Sequence, residues 1–242
     1  MKLHLLTPLA IASLLASTAC RKKSVAAAPA PTPERPETQS DIPLLPIKPG
    51  AEWNYQVTIE IPADIPQPGN PAQSLKTTRT RTYLGKTSPG EGFPTTDCFE
   101  VTTPNSPKEN EFVEIHDDKI LLRGGLVRKT DDAKPLWYEK PLPFVKAGIK
   151  AGDQLREFNL GTDHRTRKID IIGRESITVP AGTYSAIRML MSGKDGDFEL
   201  RRTIWFSPGN GIIREEKIRY HKDQLILRET QELTSTNVPK RP

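Results

Sequence analysis

WNYQVTIEI, residues 53–61, alternates without a break: Trp53, Tyr55, Val57, Ile59 and Ile61 fall on one side, and Asn54, Gln56, Thr58 and Glu60 on the other. A period of two over this length is the mark of a strand with one dry and one wet face. Similar runs recur downstream, among them TTRTRTYLG (77–85), CFEVTT (98–103), KILLRG (119–124), RKIDIIGRESITV (167–179), FELRRTIWF (198–206) and GIIREEKIRYH (211–221). Turn residues separate them at short intervals, and no stretch holds a helical period. The one helix candidate, LPFVKAGIKAGDQL (142–155), is broken by Gly148 and Gly152. The chain therefore reads as all-β and mainly antiparallel, a strongly curved open sheet or half-barrel of about ten strands.

An internal echo runs through this region. IKPGAEW (47–53) matches IKAGDQL (149–155), FPTTDCFEV (93–101) answers VPAGTYSAI (179–187), and VEIHDDKILLR (113–123) parallels IWFSPGNGIIR (204–214), in the same order each time. The expectation is a single β domain, residues 46–233, with two related halves at 47–128 and 149–233. Residues 234–242 read as a disordered tail.

Upstream, LLASTACRKK (14–23) closes an apolar run that begins after Lys2 and ends in small residues. The run is interrupted by Thr7 and Pro8 and falls short of the roughly 20 apolar residues of a membrane-spanning helix. Residues 1–19 therefore read as a secretion signal. Three fates compete for Cys20: a lipid anchor, a bystander next to a cleavage site in a secreted protein, or a disulfide with Cys98. STAC (17–20) resembles a bacterial lipobox, with Ser17 where that pattern has Leu, and the resemblance implies lipidation of Cys20. Cys98 is then an unpaired thiol, which favours burial; a bridge to it would have to reach back from a floppy leader. Residues 20–45 form a tether, because VAAAPAPTPERPETQSDIP (25–43) is too poor in bulky apolar groups to fold and its prolines keep it semi-extended. Arg21, Lys22 and Lys23 suit anionic head groups at about 1 kcal/mol each. Arg21 after the cysteine, in place of Asp, resembles the outer-membrane sorting state, which implies a lipoprotein facing the periplasm.

Net charge is +5, and the first 45 residues hold five basic against three acidic side chains, so the folded region is close to balanced. That distribution argues against nucleic acid as a partner. His116, His164 and His221 have no ligand spacing, and Asp117 and Asp118 read as a solvated turn, so no metal or other cofactor is expected. No nucleophile elbow, SxxK or phosphate loop occurs, and no catalytic residue is assigned. RTR (79–81) and RTRK (165–168) read as facing water.

Three stretches suggest kinship. PGAEWNYQV (49–57), ESITVPAGTYSAIRM (175–189) and RTIWFSPGNGIIREE (202–216) resemble motifs of bacterial envelope lipoproteins whose curved antiparallel sheet is similar to that of the LolA and LolB carriers. The resemblance implies a membrane-anchored, non-enzymatic binding module for a lipid or other hydrophobic ligand on an apolar concave face. Candidate lining residues are Trp53, Tyr55, Tyr184, Met189, Met191, Trp205 and Phe206, each of which serves equally as a core residue. A structural lipoprotein with a solid core, docking an envelope protein, is the alternative, and a hydrolase without a recognisable motif is a third reading. Trp205 is expected in the core beneath its hairpin.

Overall fold

The computed structural model describes residues 43–239 apart from Pro46, Pro66, 129–132 and 160–165. The signal segment, Cys20 and the tether up to residue 42 lie outside the described residues. Among the described residues twelve strands follow one another. The first six are β1 (Glu52–Ile61), β2 (Gln73–Thr87), β3 (Thr96–Thr102), β4 (Glu109–Ile115), β5 (Lys119–Val127) and β6 (Leu136–Lys146). The second six are β7 (Gln154–Asn159), β8 (Thr166–Val179), β9 (Gly182–Asp195), β10 (Phe198–Ser207), β11 (Gly211–His221) and β12 (Gln224–Thr236). Among the described residues there is no helix.

All twelve belong to one antiparallel sheet in the order β6-β5-β4-β3-β2-β1-β12-β11-β10-β9-β8-β7. Each half of the chain is a six-strand meander, and the halves join where β1 pairs with β12. At about 4.8 Å per strand, β6 and β10 would stand roughly 38 Å apart in a flat sheet. Instead the rings of Phe144 on β6 and Phe206 on β10 meet edge-to-face at 6.0 Å. The sheet has thus curled into a nearly closed barrel with one seam, between β6 and β7, and a single apolar cluster fills it from Trp53 on β1 round to Ile169 on β8.

The two IK-G segments make the same backbone bonds. Gly50 donates to Tyr83 O and Gly152 to Ile171 O, both at 2.9 Å; Ala51 donates to Lys48 O at 3.0 Å and Asp153 to Lys150 O at 3.1 Å. Both glycines sit at positive φ, +87° and +88°, a backbone that side chains resist. A bulge follows at Tyr83/Gly85 in one half and at Ile171/Gly173 in the other.

The antiparallel all-β expectation holds, and two boundaries need correction. Among the described residues the strands number twelve, and the one that alternation missed is β6, whose Pro141 and Pro143 blur the pattern. Proline lacks a ladder donor and is tolerated here because β6 is an edge strand. The tether ends earlier than residue 45: Leu44 and Leu45 are buried, and Leu44 O accepts from Gly209 N at 2.9 Å. The tail starts later than residue 234, since β12 runs to Thr236, Asn237 Oδ1 accepts from Glu52 N at 2.8 Å and Val238 is buried.

Cys98 is fully buried in a satellite cluster with Phe112 and Leu126 on the outer side of the sheet, and burial pushes its thiol up. This cluster is covered by Trp137, which β6 brings close over Gly124. A Cβ placed on Gly124 would lie 2.1 Å from Leu136 O, at a φ of +156°. Gly124→Ala is therefore expected to cost about 2–4 kcal/mol in urea unfolding. Gly90→Ala, with nothing within 4 Å of its Cβ, should stay within about 0.5 kcal/mol of the parent.

Candidate functional site

In an up-and-down barrel successive turns fall at opposite ends, so the two ends are built from different sequence. One end carries the chain entry, the exit after β12 and the β10–β11 turn, and it is solid. The Trp53 indole donates to Asn210 O at 2.7 Å and the Tyr55 hydroxyl to Ile212 O at 3.0 Å, each reaching past β12. Leu44 and Leu45 close the plug over Trp53. Burial raises the Tyr55 phenol well above its ordinary range.

Above this floor lies a layer of charge. The register places Arg79 opposite Tyr55 and Arg81 opposite Trp53, so both arginines point inward, not into solvent as RTR suggested. Arg79 Nη1 bonds Glu229 at 2.7 Å and Gln231 at 2.9 Å. Arg81 Nε bonds Glu111 at 2.9 Å while its guanidinium lies 3.7 Å over the Phe99 ring. Arg202 grips Glu215 with two bonds of 2.7 Å, Gln231 Nε2 donates to Glu215 at 3.1 Å, and Lys217 stands 3.3 Å from Glu215 and 3.2 Å from Glu229. Burial by itself would raise Glu215, but Arg202 and Lys217 override it and hold the carboxyl down at about 2. Glu229 and Glu111 are lowered too, against their burial, by Lys217 with Arg79 and by Arg81 with Arg202 respectively.

Beyond the layer the interior opens into a cavity of about 440 Å³ at the end formed by the β9–β10 and β11–β12 turns. Its wall is Leu122, Tyr138, Leu142, Met191, Leu200 and Leu227, joined by the charged Arg202, Lys217, Arg219 and Glu229. Glu111 lies inside the barrel yet keeps 40% of its side chain accessible, so solvent reaches this side of the layer.

Of the seven residues singled out from the sequence, Met191 reaches this cavity. Trp53, Tyr55 and Phe206 belong to the solid floor, Met189 is buried in the same core, and Tyr184 packs against it from the β8–β9 hairpin. Trp205 is buried, but on the outer face and not in the core: its ring lies 5.6 Å from the Arg188 guanidinium and 5.2 Å from that of Arg214, and its N–H donates to Glu175. Cys20 lies outside the described residues. The charged residues of the cavity went unnoticed because both faces of GIIREEKIRYH carry charge, and only register tells which face turns inward. Among the described residues no three His, Cys, Asp or Glu side chains converge as a metal site.

The depressed carboxyls fix a pH dependence. A carboxylate whose folded value lies below its unfolded one, about 4.5, stabilises the fold above that value and loses the contribution as pH falls toward the folded one. Stability against urea should thus be level above about pH 5 and fall between about 4.5 and 2, with Glu215 alone contributing on the order of 3 kcal/mol. Glu215→Gln at neutral pH leaves the Arg202 charge without its counterion and is expected to cost about 3–5 kcal/mol by the same measurement, most of it recovered in the double variant Arg202→Met/Glu215→Leu.

No family model matches the chain, and no curated protein is similar to it. Two solved structures are similar. One is a candidate lipoprotein from Parabacteroides distasonis ATCC 8503, at 14% identity and a TM-score of 0.44, with 81% of this chain and 99% of that chain covered. The other is a candidate exported protein with a YmcC-like fold from Bacteroides fragilis NCTC 9343, at 12% identity, a TM-score of 0.44 and the same coverage, 81% and 99%.

Proposed function

We propose that this protein is a cell-envelope lipoprotein, held by a lipidated Cys20 at the periplasmic face of the outer membrane, whose barrel mouth binds a lipid or other hydrophobic molecule without transforming it. The observation that carries the reading is the cavity. At about 440 Å³ it falls within the range of ligand pockets, and its wall combines four leucines, Met191 and Tyr138 with four convergent charged groups. The anchoring half of the proposal rests on LLASTACRKK and the proline-rich tether.

The test is to purify the full chain from a bacterial envelope, compare native and denatured masses, and extract for lipid. A ligand near one equivalent, lost on denaturation, is expected. Leu200→Trp, which fills the cavity from its half-buried wall, should lower occupancy at least about tenfold while leaving the urea midpoint close to that of the parent. A bare, folded protein with nothing to extract would refute binding of any lipid present in that envelope.

A further inference from the structure

The charge of the cavity wall is unbalanced, and the imbalance is traceable to one side chain. On β11, Glu215, Lys217 and Arg219 turn inward in succession. Glu215 lies across from Gln231 and Lys217 across from Glu229 on β12, so each has a polar neighbour. Arg219 lies between Leu227 on β12 and Leu200 on β10. Arg219 is exposed at the mouth, and among the described residues no hydrogen bond or ion pair holds it. Taken with the layer below, five cations (Arg79, Arg81, Arg202, Lys217 and Arg219) face the carboxylates Glu111, Glu215 and Glu229, with Glu109 exposed at the start of β4. The three carboxylates are already bonded to the four deeper cations. Arg219 and the outer side of Lys217, which is 32% exposed, are left to whatever enters the mouth.

Leu200 and Leu227 flank Arg219, and Leu122, Leu142 and Met191 complete the apolar surface, so the cavity offers both charge and apolar wall. An occupant that satisfies both is amphiphilic and negative at its head. Size narrows the rest: at roughly 30 Å³ for each water-sized volume, the space inside the mouth matches about fifteen non-hydrogen atoms, the size of one medium-length acyl chain. Building on the binding function proposed above, we infer that the ligand is a single-chain anionic amphiphile whose carboxylate or phosphate head sits at Arg219 and Lys217 and whose chain lies along Leu122, Leu142, Met191, Leu200 and Leu227.

The exported full chain carrying Cys20→Ser, which needs no detergent, is titrated calorimetrically with dodecanoate, dodecyl phosphate and dodecanol below their aggregation limits. Both anions are expected to bind at least about tenfold tighter than the alcohol, the size of one charge-assisted hydrogen bond, and the tighter of the two identifies the head group. Arg219→Gln should abolish that preference and Arg219→Lys restore part of it; raising the salt should shrink it. Equal binding of all three probes, or a preference that survives Arg219→Gln, would overturn the anionic head while leaving the cavity as a hydrophobic site. Failure of all three to bind would overturn the cavity reading along with it.

Discussion

Glu215 is 2% exposed inside the barrel, the most deeply buried member of its charged layer, and the interior is organised around keeping that one charge paired. An isolated buried carboxylate is too costly to survive in ionised form. Here it is held by a bidentate arginine, a lysine and a glutamine; Lys217 shares its face two residues along β11, while Arg202 and Gln231 come from positions fixed by the register of β10 and β12 against β11. A one-residue slip in either pairing would turn Arg202 or Gln231 to the outer face and take a partner from Glu215. The ion layer therefore acts as a lock on register. Buried pairs of this kind add little net stability compared with well-packed apolar replacements, and specificity of pairing is the better-founded reason to retain them.

The same layer divides the interior. Below it the aromatic side chains pack ring against ring, and Leu44 and Leu45 are buried over them. Above it the cavity is lined by four leucines, Met191 and Tyr138 together with the outer charges. A charged layer demands solvation from one side or the other, and the wet cavity supplies it. Closure has its own cost at the seam, where β6 and β7 do not form a ladder. Prolines in β6 remove donors that would otherwise stand unpaired on that edge, an established means of discouraging strand addition from another molecule.

How much of this could be read in advance differs by element. β1 was legible because its alternation is unbroken and its wet face is uniformly polar. β6 was not, because an edge strand needs no clean alternation and its prolines mimic a loop. The aromatic residues stand out in the sequence as either cavity lining or core, and only register separates the two: Trp205 and Phe206 are adjacent in sequence and lie on opposite faces of the sheet. Arg79 and Arg81 misled for the opposite reason. A charged strand face is solvent-facing in most sheets, and the inward turn of RTR becomes sensible only once Glu111 and Glu229 arrive from β4 and β12, some 30 to 150 residues away.

The sequence by itself determined the all-β class, the succession of antiparallel hairpins and the matching IK-G entries into the two halves, because strand period and turn chemistry are local properties of the chain. Tertiary structure decided that the sheet closes, which end is solid, and that a charged layer and a leucine-walled cavity lie inside. Those outcomes depend on which strand meets which and in what register, and register is fixed by contacts between side chains far apart in the chain, where local alternation carries no information.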